Sequence, residues 1–314
     1  MRITEPILLN GSDFVNKNNI PASIDGVSPL KKVAAIHDLS CFGRCALTVI
    51  SPTLSAMGYQ VVPVPTCLLS SHTGGFTDMS FLDLTDNMTD VYGHFDRLDL
   101  KFDAIYSGFL GNHTQIELVK KFIDRFGSDD TVIFVDPVMG DGGELYSTYT
   151  EELMRGMIRL CRGAHVITPN LTEACFLTDT EYANTSDMSE AELYGFAEEL
   201  CLKLTHTGAD KTVITGLHFG KDKLCVCGRD NAAKKTYYYC FDRVNKNYPG
   251  TGDLFASVLL GELLKNGDFE ASIRIASDFT RRVMDYSSRF STPDREGVAF
   301  EAFLGELTPK SPTV

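Results

Sequence analysis

The segment whose residues most clearly suggest chemistry is Pro249-Gly250-Thr251-Gly252-Asp253, which opens the helical pattern from Leu254 to Leu264. Its two glycines permit a tight turn that exposes successive backbone N–H groups at a helix N-terminus, where anions bind. Asp253 would repel such an anion, but a carboxylate beside a phosphate-binding turn can take the proton of a hydroxyl that attacks a γ-phosphoryl group. The segment therefore indicates phosphoryl transfer, and an aspartate N-cap after a glycine turn is the alternative.

Two more polar segments directly follow apolar runs, Val135-Asp136-Pro137-Val138-Met139-Gly140-Asp141 and Thr168-Pro169-Asn170-Leu171-Thr172-Glu173. Asp136, Asp141 and Glu173 supply the carboxylate oxygens that Mg²⁺ uses, usually through water. Asn170 and Glu173 are three residues apart at the start of a helix, so they share one face. Helix capping explains that pair on its own, but three acidic strand ends together with a glycine-rich helix start favour a magnesium and phosphate site.

Polar residues also follow the first two predicted strands, in His37-Asp38-Leu39-Ser40-Cys41-Phe42-Gly43 and Ser70-Ser71-His72-Thr73-Gly74-Gly75-Phe76. These segments combine hydroxyls, an imidazole and an aromatic ring, which suit a small polar heterocycle. Capping of the next helix is the alternative role for Asp38 and Ser40. Cys41 and Cys45 could join His37 as metal ligands, but no fourth ligand is evident, and buried thiols are the better interpretation.

The elements that must position these residues are short apolar runs that alternate with helical patterns. Such runs predict a mostly parallel sheet covered by helices on both faces, in which ligands bind beyond the carboxyl ends of the strands. The predicted strands are Val33–Ile36, Val61–Val64, Ala104–Tyr106, Val132–Val135, His165–Thr168 and Val213–Thr215, followed by an antiparallel edge hairpin of Leu224–Val226 and Thr236–Phe241. The predicted helices include Gln115–Phe126, Ser189–Leu204, Asp253–Leu264 and Phe269–Ser287.

The first 30 residues differ in character from the rest of the chain. Residues 1–30 contain many turn-forming residues and no periodic apolar face, so they are predicted to form an arm on the surface or at a subunit contact. From Lys31 onward, no Pro- or Gly-rich linker interrupts the alternation of strands and helices. Residues 31–314 are therefore predicted to be one domain, because an α/β sheet often exceeds 250 residues as a single unit.

Composition limits the possible partners and the compartment. Acidic residues outnumber basic ones 42 to 29 and give a net charge of −13, which disfavours nucleic acid and anionic membranes as partners. The nine cysteines are odd in number and include no C-x-x-C pair, so we interpret them as buried thiols of a reducing compartment. No membrane span or signal pattern is present. The expected location is the cytoplasm.

Taken together, these motifs resemble those of the pyridoxal/pyridoxamine kinases, the vitamin B6 kinases of the ribokinase superfamily. The resemblance runs in order from about Lys31 to Ser288. Gly250 to Asp253 is the superfamily-wide part, whereas His72-Thr73-Gly74 and Asp136-Pro-Val-Met-Gly140 are more specific to the B6 kinases. The resemblance implies a three-layer α/β/α fold without a lid domain, a homodimer, and ATP-dependent phosphorylation of the 5′-hydroxymethyl group of a B6 vitamer.

The resemblance also implies residue roles. Asp253 is the expected base, and Gly250, Thr251 and Gly252 form the expected anion hole. The residues expected near ATP and Mg²⁺ are Asp136, Asp141, Thr168, Asn170, Glu173 and Thr215, with Asp136 and Glu173 nearest the metal. The residues expected at the pyridine ring are Asp38, Ser40, His72, Thr73 and Phe109. A monovalent-cation requirement, the preferred vitamer and the choice between Asp38 and Ser40 stay open.

Three other functions fit these residues less well than a vitamin B6 kinase does. A hydroxymethylpyrimidine kinase of thiamine synthesis shares the fold and the glycine-rich end, but its first loop is typically Gly-Ser-Asp-Ser-Gly-Gly, whose glycines His37-Asp38-Leu39-Ser40 lacks. A sugar kinase is disfavoured because the residues between Leu39 and Val64 look helical rather than like a β-lid. A non-catalytic B6-binding protein would be expected to have lost Asp253, Asp136 or Glu173, and all three are present.

Overall fold

The structure is a computed structural model, and it describes residues 30–309. Residues 1–29 of the predicted arm lie outside the described residues. The division of the chain into an arm and one domain over 31–314 stays a prediction.

A nine-stranded sheet forms the centre of the described chain, in the order β11-β10-β9-β8-β5-β4-β1-β2-β3. The pairs from β9 across to β2 are parallel, whereas β3 and the β10–β11 hairpin add antiparallel edges. The predicted mostly parallel sheet and its edge hairpin are therefore confirmed. The strands are β1 Lys32–Phe42, β2 Gln60–Ser71, β3 Phe81–Asp83, β4 Ala104–Ser107, β5 Val132–Val135, β8 Val166–Ile167, β9 Lys211–Phe219, β10 Lys223–Asp230 and β11 Lys235–Asp242, with a separate hairpin of β6 Gly140–Asp141 and β7 Glu144–Leu145.

Helices cover both faces of the sheet and give three layers. One face packs on α2, α3, α4, α5 and α6, and the other on α1, α7 and α8. Along β1, Ala34 and Ile36 join the first core, while Val33 and Ala35 join the second. Burial on both faces explains why these strands are apolar without alternation. The helices are α1 Leu47–Ala56, α2 Thr85–Arg97, α3 His113–Phe126, α4 Glu151–Cys161, α5 Leu171–Thr178, α6 Glu190–Leu204, α7 Thr251–Asn266, α8 Phe269–Ser288 and α9 Leu304–Leu307.

The first strand is longer than predicted, and this corrects the placement of two site residues. β1 continues to Phe42 because it stays paired with β2, so Asp38 and Ser40 lie within the strand rather than after it. The register shifts between His37 and Leu39, an irregularity of the kind that re-aims side chains at functional sites. The N-cap of α1 is Ala46. The alternative that Asp38 and Ser40 cap this helix was therefore wrong.

The cysteines are also not all free buried thiols. Cys225 and Cys240 lie directly opposite each other on β10 and β11, with Cα atoms 4.1 Å apart, and form a disulfide. Cys41 is exposed. Strand register brings the pair together, and the spacing of cysteines along the sequence does not reveal register. Burial was predicted correctly for Cys67, Cys161, Cys175, Cys201 and Cys227.

None of the helices in residues 30–309 combines the length and the hydropathy that spanning a bilayer requires.

Candidate active site

The glycine-rich turn lies at the N-terminus of α7, as predicted. Gly250 is the N-cap in the left-handed region, with φ 76°, and Asp253 is the third residue of the helix. Asp253 is therefore not the N-cap, and that alternative was wrong. A Cβ atom on Gly250 would lie 2.1 Å from the carbonyl oxygen of Arg44. Glycine is required here both for the backbone angle and for this close approach.

The Asp253 carboxylate is held by the loop between β1 and α1. Its Oδ2 atom accepts a hydrogen bond of 2.8 Å from the Ala46 N–H and one of 3.5 Å from the Cys45 thiol. Within residues 30–309, no side chain or backbone N–H donates to its Oδ1 atom. Burial raises the pKa of Asp253, and the two hydrogen bonds oppose that rise. One oxygen is thus anchored while the other can accept a proton.

Asp38, on β1, lies near Asp253. It is 7 % exposed, and the Ser40 hydroxyl donates a 3.0 Å hydrogen bond to its Oδ2 atom. Burial, followed by the negative charge of Asp253, raises the pKa of Asp38 to about 7. The structure therefore brings Asp38, Ser40 and Asp253 together, and at neutral pH Asp38 is protonated in a large fraction of molecules.

A second pair of carboxylates follows β5 and β8. Burial raises the pKa of Asp136 well above its usual range, and the negative charges of Glu173 and then Asp253 raise it further. Burial also raises the pKa of Glu173 to about 8, against the lowering effect of its backbone hydrogen bonds. The ends of β1, β5 and β8 and the start of α7 thus form one acidic site.

Glu173 also caps a helix. Its Oε2 atom accepts from the Asn170 N–H at 2.8 Å, and the Asn170 side chain accepts from the Glu173 N–H at 2.9 Å, which forms a capping box on α5. Its Oε1 atom accepts from the Met139 N–H at 3.0 Å, and the Asn170 amide donates to the Gly140 carbonyl at 2.8 Å. The capping interpretation of this pair is therefore correct, and the pair also fastens the loop that carries the exposed residue Asp141.

The acidic site offers few protein ligands for Mg²⁺. In the described part of the chain, no three His, Cys, Asp or Glu side chains form a ready ligand set. Mg²⁺ in phosphoryl-transfer sites usually takes only one or two carboxylates and completes its shell with water and substrate phosphates. Asp136 and Glu173 fit that requirement. The two buried carboxyl groups disfavour each other's ionisation, and a bound divalent cation would stabilise both of them in the ionised form.

The residues predicted near the nucleotide share the edge of the sheet with this acidic site. Thr215 on β9 bridges to Asn170 at the start of α5. The Thr168 hydroxyl is buried beside the Asp136 carboxyl group, whose pKa it lowers. Thr168, Asn170 and Thr215 are therefore neighbours along the carboxyl ends of β8 and β9.

His72, predicted at the pyridine ring, has both ring nitrogens bonded to backbone. Its Nε2 atom lies 2.7 Å from the Arg295 carbonyl oxygen, and its Nδ1 atom accepts from the Gly74 N–H at 3.0 Å. Burial lowers the pKa of His72, so the neutral ring donates from Nε2. A Cβ on Gly43 would lie 2.4 Å from the ring. His72 therefore ties its loop to the C-terminal segment.

The other two residues predicted at the ring are placed differently from each other. Thr73 is exposed. Phe109 is half-buried after β4, its carbonyl accepts from the Thr66 hydroxyl, and its ring lies 6.1 Å from that of Tyr149. Phe109 can stack but cannot donate a hydrogen bond.

Sequence reasoning missed four residues of this region. Cys45 and Ala46 contact Asp253. His218 is the last residue but one of β9, and Arg243 directly follows β11 at the same edge of the sheet. The Nδ1 atom of His218 is buried without a hydrogen-bond partner among the described residues, and Arg243 takes part in no salt bridge there. The available signal was position, because Arg243 lies two residues after the predicted strand Thr236–Phe241.

The chain is similar to several proteins of known sequence and structure. The profile of the family described as Phosphomethylpyrimidine kinase matches residues 51–295. The chain belongs to this family. A crystal structure of a family protein from Bacteroides thetaiotaomicron, assigned as a phosphomethylpyrimidine kinase and solved with pyridoxal, is 36 % identical with a TM-score of 0.83 and covers 90 % of this chain and 98 % of its own.

Two pyridoxal kinases are also similar. The Lactobacillus plantarum structure is 29 % identical, with a TM-score of 0.78, and covers 88 % of this chain and 96 % of its own. The Arabidopsis thaliana enzyme is 27 % identical over 244 residues, which are 74 % of this chain and 75 % of that protein. The predicted resemblance to pyridoxal kinases and the ribokinase-like fold are confirmed.

Proposed function

We propose that this chain is a kinase that transfers the γ-phosphoryl group of ATP to the 5′-hydroxymethyl group of a vitamin B6 vitamer. The observation that carries the proposal is the placement of Asp253, whose Oδ1 atom accepts no hydrogen bond from the described protein, at the N-terminus of α7. The pyridoxal-containing relative supports the choice of acceptor. The carboxylate can take the proton of the acceptor hydroxyl while the N–H groups of the turn stabilise the charge on the transferred phosphoryl group.

The pyridine ring is proposed to lie against Asp38, Phe109 and the loop that His72 holds. A carboxyl group with a pKa near 7 can donate or accept a hydrogen bond at neutral pH, which suits the polar atoms of a B6 ring. Phe109 would supply a stacking face. Since Ser40 donates to Asp38, Asp38 is the better candidate for the direct contact, and Ser40 would orient it.

ATP and Mg²⁺ are proposed to occupy the carboxyl ends of β5, β8 and β9. Asp136 would hold the ion, with Glu173 and Asp141 next to it, and the bound ion would neutralise phosphate charge. Thr168, Asn170 and Thr215 would line the nucleotide, and Arg243 and His218 would approach its phosphates. A site this rich in carboxylates needs cationic groups to hold a polyphosphate. Arg243 is a suitable candidate because no described acid pairs with it.

The second candidate is phosphorylation of hydroxymethylpyrimidine. A Bacillus subtilis hydroxymethylpyrimidine/phosphomethylpyrimidine kinase is 29 % identical over 192 residues, 60 % of this chain and 65 % of that protein. The same base and phosphate turn would serve either acceptor, so only the ring pocket separates the two functions. A non-catalytic B6-binding role is the third outcome that the assay below distinguishes.

An ADP-release assay in MgATP, run separately on pyridoxal, pyridoxine, pyridoxamine and hydroxymethylpyrimidine, would distinguish these functions. Turnover of a B6 vitamer that is lost in Asp253→Asn supports the proposal. Turnover of the pyrimidine alone would replace it with the second candidate. Vitamer binding without any ADP release would overturn the enzymatic assignment.

A homodimer is part of the proposal. Edge strand β3 exposes Phe81 and Leu82, which are 47 % and 54 % exposed. An apolar edge strand in water is a surface for pairing with another chain. We expect the protein to sediment as a dimer and Leu82→Asp to sediment as a monomer, whereas a monomeric wild type would overturn this part.

A cytoplasmic location is also proposed, supported by the buried free cysteines such as Cys67 and Cys161. The Cys225–Cys240 disulfide is the feature that disfavours a reducing compartment. Protein alkylated directly in lysing cells and then analysed by mass spectrometry should carry reduced Cys225 and Cys240. A disulfide retained in these cells would contradict this location.

A further inference from the structure

We infer that Cys45 and Ala46 are positioning residues, which hold the Oδ2 atom of Asp253 so that its Oδ1 atom faces the acceptor hydroxyl. The inference rests on the proposed function and assigns the orientation of its base to a specific loop. Neither residue needs to touch the substrate, and both act through Asp253.

The two donors act on the same oxygen. The Ala46 N–H and the Cys45 thiol both point to Oδ2, at 2.8 and 3.5 Å. The terminal torsion of an aspartate side chain is broad and roughly two-fold, so an unrestrained carboxylate samples many orientations. Two donors from adjacent residues of a single loop remove that freedom and leave Oδ1 for chemistry.

The backbone is strained at Ala46, the residue that makes this contact. Ala46 has φ 48° and ψ −129°, angles that favour glycine, and as N-cap of α1 it has no side-chain cap. Such strain persists where the surrounding structure imposes it, and it concentrates at functional sites. The result of the strain here is an N–H group aimed at the proposed base.

The same loop is fastened to the phosphate turn. The Thr48 hydroxyl accepts from the Cys45 N–H at 3.2 Å and donates to the Cys45 carbonyl at 2.8 Å. The Arg44 N–H donates to the Glu296 carbonyl at 3.1 Å, and the Arg44 carbonyl lies against Gly250. The loop that holds the Asp253 carboxylate is therefore fixed to α1 and to the C-terminal segment, and it packs against the anion-binding turn.

The charges around Asp253 favour Cys45 as a neutral donor. Burial, followed by the negative charges of Asp253 and Asp38, raises the pKa of the Cys45 thiol, so it keeps its proton. Asp253 also raises the pKa of two neighbouring carboxyl groups, those of Asp38 and Asp136. The thiol and the Ala46 N–H are thus the groups that stabilise the ionised base.

The test compares Cys45→Ala and Cys45→Ser with Cys41→Ala, a matched control at an exposed cysteine four residues earlier. Cys45→Ala should lower kcat about tenfold, the scale of one hydrogen bond to a charged group, with both KM values nearly unchanged. Cys45→Ser should keep most of the activity because its hydroxyl replaces the donor. Cys41→Ala should match the wild type.

A double-mutant comparison separates positioning from general damage. In the Asp253→Asn background, Cys45→Ala should have no further effect on the residual rate, because its role depends on the carboxylate. An additive effect there, or an unchanged kcat in Cys45→Ala alone, would overturn the inference. If Cys45→Ala does not fold, Cys45→Val supplies the second variant: it fills the space of the thiol but cannot donate a hydrogen bond, so it should lower kcat to a similar extent, and an unchanged kcat would contradict the assignment.

A measurement independent of turnover distinguishes failure of the inference from failure of the proposed function. The carboxyl carbon of Asp253 can be titrated by NMR in the wild type and in Cys45→Ala. Loss of the thiol donor should move the midpoint to higher pH, since a hydrogen bond to the ionised form lowers a pKa. An unmoved midpoint would overturn the inference, whereas absence of turnover with every acceptor would overturn only the function.

Discussion

The Nε2 atom of His72 lies 2.7 Å from the carbonyl oxygen of Arg295, 223 residues further along the chain. This contact joins the loop after β2 to the C-terminal segment that also holds the Arg44 N–H through Glu296. The loops proposed to surround the acceptor are therefore linked to one another rather than independent. His72 belongs to the framework of the pocket.

His72→Ala should loosen this loop and raise the KM for the acceptor about tenfold, the scale of a lost buried hydrogen bond and its packing. The KM for ATP should stay unchanged, since His72 is proposed to lie on the acceptor side. His72→Gln keeps a donor for the Arg295 carbonyl and should recover part of the loss. Steady-state kinetics with each substrate varied in turn provides the measurement, and a rise in the KM for ATP alone would contradict this placement.

Asp253→Asn should lower kcat by about 100-fold or more, the usual range for a positioned acid–base group. Binding of ATP and of the vitamer, measured by calorimetry, should be retained because the helix N-terminus is intact. Turnover near the wild-type rate would show that another group accepts the proton.

Asp38 makes the stability of the free protein depend on pH. Its pKa is raised from 3.8 to about 7 in the folded state, so the folded state binds the proton more tightly than the unfolded one. This contribution is fully present below pH 3.8 and is lost as the pH rises through about 7. Urea unfolding should show stability falling as the pH rises from about 4 to about 7, and Asp38→Asn should flatten that fall. A fall of the same size in the variant would contradict the raised pKa of Asp38.

Glu173→Gln should change the Mg²⁺ dependence of the reaction. A glutamine keeps one acceptor but places an amide N–H₂ group against either the Asn170 or the Met139 N–H, so the loop with Asp141 is disturbed as well. We expect a higher Mg²⁺ concentration at half-maximal rate and a modest loss of stability. A lower Tm with an unchanged Mg²⁺ titration would restrict Glu173 to helix capping.

Arg243→Gln should raise the KM for ATP about tenfold, because one charge-assisted contact to phosphate is lost. In direct binding measurements, Arg243→Gln should lose more affinity for ADP than for adenosine. Lys235→Gln is the matched control, since it removes a positive charge at the opposite end of β11. Equal effects of the two variants would mean that general electrostatics, and not a contact, is responsible.

The sequence alone determined the chemistry and the order of the elements. Unbroken apolar runs identify parallel strands buried on both faces, and the polar residues that follow β5 and β8 and precede α7 are where such a sheet binds ligands. These signals are local, because each depends on residue types within a few positions. They were sufficient to bring Asp136, Glu173 and Asp253 into one predicted site.

Only the tertiary structure decided the details that depend on contacts between distant segments. The extension of β1 to Phe42 follows from pairing with β2, and the Cys225–Cys240 disulfide follows from the register of β10 and β11. The bond from Ala46 to Asp253 joins residues 207 positions apart. Periodicity and spacing carry no information on register or on which loop packs against which, since those are set by the whole folded chain.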